Sequence, residues 1–287
     1  MKVATIGFFD GVHRGHRFLI DFVKTLAVSR GARSSVITFR EHPAAVLGVE
    51  PGLRLLTLPD EKLARLDGLG VDEVTVFGFD RQLARMSARD FMRSVLRDQL
   101  GVTTLVMGHD HGFGARDCGH DYEAYGRELG IEVVKAPVYG KVCSSVIRSL
   151  LAEGRVEEAN ESLGYKYGLS GVVVGGKRLG RTIGFPTANL DIDGRKLIPK
   201  TGAYEVRVLT DGVWMRGMMN VGVRSIEVHI LDFDGDLYGK ALWVELLRMM
   251  REEMTFGSVD ELRMQLEEDL RGLLSEVGSG TMAAGAE

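Results

Sequence analysis

Two cysteines in 287 residues, Cys118 and Cys143, are too few for a disulfide framework and lack the paired spacing of a zinc site. Both are expected to be free thiols. Charge of one sign is equally scarce. The chain has 36 Lys and Arg against 40 Asp and Glu, a net of −4, which excludes the basic footprint of a protein that grips a nucleic-acid backbone. No apolar run reaches the ~20 residues of a membrane-spanning helix. The start, Met1-Lys2-Val3-Ala4-Thr5-Ile6, has no basic leader followed by an apolar core and a small-residue cleavage site. These absences predict a cytoplasmic protein without membrane or nucleic-acid partners, a monomer or weak homo-oligomer whose nucleotide ligands are small. No internal repeat is present.

What is there is an ordinary globular balance, 45% hydrophobic and 26% charged, at a length that suits one large domain or two ordinary ones. In the first half, β-rich runs (Val3 to Phe8, Ser35 to Phe39, Glu73 to Phe79, Thr104 to Met107, Glu132 to Val138) alternate with helical patterns, the signature of a parallel sheet with crossover helices. Phe18, Leu19, Phe22, Val23 and Leu26 recur at helical spacing, and Ser87 before Asp90, Phe91, Val95 and Leu96 reads as a capped amphipathic helix. Helical stretches over Ser144 to Glu153 and Val156 to Leu163 precede a change of texture at Gly164, where the domain boundary is expected.

Beyond it come strands over Leu169 to Val174, Ala203 to Leu209, Val213 to Val221, Ile226 to Phe233 and Leu242 to Leu247. Asp211-Gly212 and Asp234-Gly235 read as hairpin turns. Ser258 opens a last helix carrying Val259, Leu262, Leu266, Leu270 and Leu273. The fold class expected is α/β, with a parallel-sheet domain over residues 1–164 and an antiparallel barrel closed by a helix over 165–277. The small, polar tail 278–287 is expected to be disordered.

Two segments carry phosphate chemistry. In the first, Gly7, Gly11 and Gly15 punctuate Gly7-Phe8-Phe9-Asp10-Gly11-Val12-His13-Arg14-Gly15-His16, where a strand feeds a helix. Glycines let backbone donors approach phosphate closely, and a helix N-terminus adds partial positive charge. His13 and His16, three apart, can aim donors at one anion. By residue type alone, a glycine turn with two surface histidines reads as well, and no third ligand favours zinc. In the second, Gly171 to Arg181 is glycine-rich and carries Lys177, Arg178 and Arg181. It runs into Thr182-Ile183-Gly184-Phe185-Pro186-Thr187-Ala188-Asn189. Thr187 and Asn189, two apart on an extended segment, can offer oxygens to one Mg²⁺, although turn residues would look the same. Glu227 on its strand is either a proton acceptor or a solvated carboxylate.

The pattern Gly-x-Phe-Asp-x-x-His-x-Gly-His resembles the adenylyltransferase half of the prokaryotic bifunctional riboflavin kinase/FAD synthetase family. Thr38-Phe39-Arg40-Glu41-His42-Pro43, Gly108-His109-Asp110-His111-Gly112-Phe113-Gly114 and Cys143-Ser144-Ser145-Val146-Ile147-Arg148 resemble further segments of that half. Gly184-Phe185-Pro186-Thr187-Ala188-Asn189 and Ser225-Ile226-Glu227-Val228-His229-Ile230-Leu231 resemble the kinase half. The resemblance runs from Gly7 to about Leu273. It implies a Rossmann-like nucleotidyltransferase domain and a riboflavin kinase barrel, with ATP as co-substrate, Mg²⁺ as cofactor, and riboflavin, FMN and FAD as substrates and products.

The resemblance also implies site residues. His13, His16 and Arg148 would serve adenylyl transfer, with Gly7, Phe8, Asp10, Gly11, Gly15, Asp110, Ser144 and Ser145 around ATP. Glu227 would be the kinase base, Thr187 and Asn189 the metal and phosphate ligands, and Gly175 to Gly180 the phosphate cradle. Two departures stand out. Cys143 replaces the first serine of its segment, and the family's Arg-Pro-Thr and variable stretch is missing between Asn220-Val221-Gly222-Val223-Arg224 and Ser225. The shortened loop keeps open a monofunctional FAD synthetase with a silent barrel. A flavin-binding protein without chemistry is a further alternative, and another nucleotidyltransferase with an unrelated barrel is a third.

Overall fold

The computed structural model describes residues 1–50, 52–108, 112–114, 121–176 and 179–275. By packing, the chain divides into two compact units, Met1–Val146 and Ile147–Glu287. The expected boundary at Gly164 therefore differs from the packing boundary. The reason is visible in the bonds of the helix Val156–Leu163, where buried Asn160 donates to the Leu246 carbonyl at 3.0 Å and accepts from the Tyr167 amide at 2.6 Å.

The first unit is built on five parallel strands, β1 (Lys2–Ile6), β2 (Arg33–Phe39), β3 (Glu73–Phe77), β4 (Thr104–Met107) and β5 (Glu132–Lys135). Their order is β3-β2-β1-β4-β5. Apolar side chains point to both faces of the central strand, so both must be covered. Ala4 and Ile6 join Ile37, Phe39, Met92 and Leu105 in one cluster, whereas Val3 packs with Val23, Ala27 and Val106 under the helix Arg14–Ser29. The Ser87 signal is realised as expected. Its hydroxyl receives the Asp90 amide at 3.1 Å and opens Ala88–Phe91, which continues as the π-wound turns Met92–Gln99. Strand order reverses between β1 and β4, and in such sheets ligands bind outside the carboxyl ends of the strands at that reversal. The loop after β1 is Gly7 to His13.

The second unit is a closed antiparallel barrel in the order β10-β7-β6-β11-β8-β9. Its strands are β6 (Gly168–Val174), β7 (Ala188–Ile192), β8 (Gly202–Thr210), β9 (Val213–Val221), β10 (Ile226–Ile230) and β11 (Ala241–Glu252). Tyr204, Val206 and Val208 alternate inward on β8, as do Leu242, Val244 and Leu246 on β11. Asp211-Gly212 closes the β8–β9 hairpin with both residues at positive φ, 49° and 79°. Asp234-Gly235 does not close a hairpin. Strands β10 and β11 pair with other neighbours, and this turn lies instead on the wall of a cleft. The helix Val259–Ser275 brings Leu266, Leu270 and Leu273 against Phe185 and Met218. Arg251 clamps that helix through Asp269 at 2.8 Å.

The expected tail 278–287 and the basic pair Lys177-Arg178 lie outside the described residues, as do His109, Asp110 and His111. No helix among the described residues is long and apolar enough to cross a membrane.

Candidate active sites

In the first unit the loop from Phe9 to Val12 is held in an uncommon conformation, with φ of 57° at Phe9 and 38° at the β-branched Val12. Such residues persist only where their surroundings over-determine them. Here the clamp is Asp10, 3% exposed. Its carboxylate accepts the amides of Leu56 at 3.1 Å and Thr57 at 3.0 Å, while the Gly11 amide donates to the Thr57 hydroxyl at 3.0 Å. Asp10 was expected beside ATP. In the structure its side chain fixes the loop from beneath, and the loop's carbonyl at Asp10 accepts the Ser144 hydroxyl at 2.9 Å.

His13 caps the helix Arg14–Ser29, its Nδ1 accepting the His16 amide at 3.3 Å. An amide can only donate, so the neutral ring carries its proton on Nε2. Burial pushes the His13 pKa down to about 4 against the smaller opposing pull of Asp10. The uncharged imidazole therefore dominates at neutral pH. The His13 and His16 rings stack, 3.6 Å between centroids, as their three-residue spacing foreshadowed. A Cβ on Gly15 would come within 3.2 Å of the His13 ring and 3.3 Å of the Val142 carbonyl, so glycine is what admits the ring there. Gly7 is crowded likewise by the Phe9 ring, at 2.9 Å. Phe8 lends its carbonyl to the Thr38 hydroxyl at 3.0 Å, and its ring meets His42 edge-on at 4.4 Å.

Ser144 and Ser145 open the helix Ser144–Ala152, and Arg148 follows about one turn on. Ser145 lies 3.1 Å from the Sγ of exposed Cys143, so the cysteine takes up a hydrogen-bonding position at the helix start. Asp110 cannot be placed, being outside the described residues.

In the second unit Thr187 and Glu227 come together. The Thr187 hydroxyl donates to Glu227 Oε2 at 3.0 Å, and Ser225 donates to Oε1 at 3.2 Å. Register explains the meeting, since β10 pairs with β7 and puts Glu227 opposite Asn189. His229, two residues on and on the same face, bonds the Pro186 carbonyl through Nδ1 at 2.8 Å and packs edge-on against Phe185. A carbonyl can only accept, so this ring carries its proton on Nδ1.

Glycine is required at one position of the cradle, Gly180, and a second, Gly176, is crowded by a side chain that would have to move. A Cβ on Gly176 would run into the Asn189 side chain, and one on Gly180 into the Phe185 carbonyl. Gly175 has no atom within 4 Å of where a Cβ would stand, so close packing does not explain it. A cleft of about 680 Å³ opens beside this group, lined by Arg181, Thr187, Phe233, Asp236, Leu237 and Tyr238 among others. The shortened segment is a tight turn. The Gly222 amide donates to the Ser225 carbonyl at 2.9 Å, carrying β9 directly into β10.

No group of three or more His, Cys, Asp or Glu among the described residues could hold a metal ion. The side-chain oxygens of Thr187 and Asn189, close to the Glu227 carboxylate, nevertheless fit Mg²⁺, a hard cation that binds few protein ligands and completes its shell with water and substrate phosphates.

Sequence reasoning had not singled out Thr57 or Ser225. Both are small hydroxyl residues whose roles arise from partners brought close only by folding.

A family model for FAD synthetase matches residues 1–149, and one for riboflavin kinase matches residues 163–275. The chain is 37% identical to the bifunctional riboflavin kinase/FMN adenylyltransferase of Listeria monocytogenes and 36% identical to that of Escherichia coli. Each alignment covers 93% of this chain and 90% of the relative. A crystal structure described as a macrolide-efflux protein from Streptococcus pneumoniae superposes with a TM-score of 0.85 at 32% identity, covering 94% of this chain and 92% of that one. With both halves matched in order and the relatives covered nearly end to end, the chain belongs to the bifunctional riboflavin kinase/FMN adenylyltransferase family.

Proposed function

We propose that the residues gathered at the two sites divide the family's two reactions between them. The enzyme phosphorylates riboflavin with ATP to give FMN and ADP, and adenylylates FMN with ATP to give FAD and pyrophosphate. We assign the first reaction to the barrel unit and the second to the parallel-sheet unit. The observation that carries the kinase assignment is the contact between Thr187 and Glu227 beside the 680 Å³ cleft.

In the barrel, Glu227 takes the proton of the primary alcohol of riboflavin as that oxygen attacks the γ-phosphorus of ATP. The hydroxyls of Thr187 and Ser225 fix the direction of its carboxylate. Mg²⁺, held by Thr187, Asn189 and the ATP phosphates, would supply neutralising charge at the phosphates. The amides around Gly176 and Gly180, with Arg181, cradle the phosphates. His229 holds the Pro186 carbonyl and so keeps the Thr187 segment in place. The short β9–β10 turn leaves less chain to fold over flavin, which supports a modest rate for this step rather than its loss.

In the parallel-sheet unit, an FMN phosphate oxygen attacks the α-phosphorus of ATP and pyrophosphate leaves. His13, through Nε2–H, and His16 donate to oxygens that gain charge in the transition state, aided by the N-terminus of the helix Arg14–Ser29. Ser144 spends its proton on the Asp10 carbonyl and positions the loop, leaving Ser145 and Arg148 to hold the pyrophosphate end. Residues of this kind position and stabilise without forming a covalent intermediate.

The test is product release. With riboflavin and ATP the enzyme should release ADP before any pyrophosphate. With FMN and ATP it should release pyrophosphate and no ADP. Release of pyrophosphate from riboflavin without prior ADP would overturn the division.

A further inference from the structure

Helix Pro59–Asp67 is rich in charged residues, yet its single lysine is interior. Lys62 is 1% exposed. A lysine is almost never fully buried without a reason, because desolvating an ammonium is costly. Its Nζ donates to the Phe39 carbonyl at 2.6 Å and stands 3.6 Å from the centroid of the Phe8 ring, over its face. Phe39 ends β2, where the chain turns into Arg40-Glu41-His42-Pro43. Phe8 sits in the loop after β1 that leads to His13, and its ring meets that of His42, which caps Pro43–Val46. One ammonium thus joins the roots of two loops at the carboxyl ends of neighbouring strands, beside the point where strand order reverses. The charged groups facing it are Asp10, from the first loop, and Glu41, from the second.

We propose that Lys62 is a positioning residue for FMN adenylylation, whose charged ammonium locks Phe8 and the Phe39 carbonyl so that the Gly7–Gly15 loop presents His13 and His16 to ATP. The cation–π contact requires charge, because the ring face attracts an ammonium and not a neutral amine. Burial lowers the Lys62 pKa to about 8 against the opposing pull of Asp10 and then Glu41, so the lock weakens as pH rises through that value. Lys62 touches neither substrate in this account; it acts through Phe8 and the loop. The inference rests on the assignment of FAD formation to the first unit.

The experiment compares full-length wild type with Lys62→Met, Lys62→Gln, Cys143→Ser and His13→Ala, following FAD formation from FMN and FMN formation from riboflavin between pH 6 and about 9.5, a range that brackets the pKa of a thiol and of the buried lysine. A displaced loop can cost as much as ~100-fold in rate. Lys62→Met should therefore lower kcat for FAD formation by about tenfold or more, while leaving riboflavin phosphorylation at the wild-type rate. Wild type should lose FAD formation as pH rises through about 8. Lys62→Met and Lys62→Gln should lack that limb, and Cys143→Ser, which removes the exposed thiol beside Ser144 and Ser145, should keep it. Should Lys62→Met not fold, Lys62→Gln, which retains a hydrogen-bond donor without charge, carries the test by its pH profile. Wild-type kcat in Lys62→Met, or an alkaline limb that survives in Lys62→Gln, would overturn the proposal. If His13→Ala spares FAD formation, the site assignment itself fails. If His13→Ala removes it and the Lys62 variants do not alter it, the role of Lys62 alone is wrong.

Discussion

The Thr187 hydroxyl and the Glu227 carboxylate, separated by forty positions in the chain, meet at 3.0 Å because β10 pairs antiparallel with β7. The pair makes a sharp expectation. Glu227→Gln keeps the shape and one accepting oxygen but cannot take up a proton, so riboflavin phosphorylation should fall by about 10²- to 10⁴-fold. FAD formation from supplied FMN should hold at the wild-type rate. Separate initial-rate assays of the two steps check this.

Gly180 offers a steric test of the same site. A methyl group there would collide with the Phe185 carbonyl, pushing the Phe185-Pro186-Thr187 segment outward. Gly180→Ala should lower FMN formation at least ~10-fold by misplacing Thr187. FAD formation from FMN should be untouched. Equal activity of Gly180→Ala and wild type on riboflavin would show that the cradle does not depend on this close approach.

The buried His13 ring makes the stability of the first unit pH-dependent. Its folded pKa, about 4, lies below the unfolded value of 6.5, so between those values the unfolded chain binds more protons. The contribution is fully present above pH 6.5 and is lost as pH falls toward 4. The shift corresponds to about 3 kcal/mol. Denaturant unfolding of wild type and His13→Asn across this range should show a steeper acid loss in wild type. Parallel curves would contradict a buried neutral ring.

A partly buried ion pair adds to the apolar contacts that seat the C-terminal helix. Asp269, 7% exposed at its side chain, accepts Arg251 at 2.8 Å and Gln265 at 3.0 Å. Asp269→Ala leaves the Arg251 charge without its carboxylate and should cost about 3 kcal/mol. Thermal unfolding followed together with kinase activity reads this directly, and a variant with an unchanged midpoint would mean that the apolar contacts of Leu266, Leu270 and Leu273 suffice.

Much of this architecture is legible from residue order, because strands of the first unit are short apolar runs with helical patterns between them. Strand β7 is not so legible. Ala188-Asn189-Leu190-Asp191-Ile192 does alternate apolar and polar, but the run is only five residues long and its Asn and Asp are residues that strands disfavour. The Asp234-Gly235 signal misled because a turn-forming pair is a local preference, whereas barrel pairing is decided between distant strands. The loop-clamping bonds of Asp10 are not legible in sequence, since the amides of Leu56 and Thr57 that claim its carboxylate are remote along the chain. Lys62 escaped notice for a related reason. In Pro59-Asp60-Glu61-Lys62-Leu63-Ala64-Arg65 a lysine looks solvated, and only the approach of Phe8 and Phe39 shows otherwise.

The central claim is that two separate constellations perform two sequential steps. It is tested most directly by a chromatographic time course of riboflavin, FMN and FAD, with ATP and Mg²⁺, for wild type, His13→Ala and Glu227→Gln. Wild type should accumulate FMN and then FAD. His13→Ala should stop at FMN, and Glu227→Gln should leave riboflavin unconverted yet turn supplied FMN into FAD. Loss of both steps in either variant, with the protein still folded, would contradict the account.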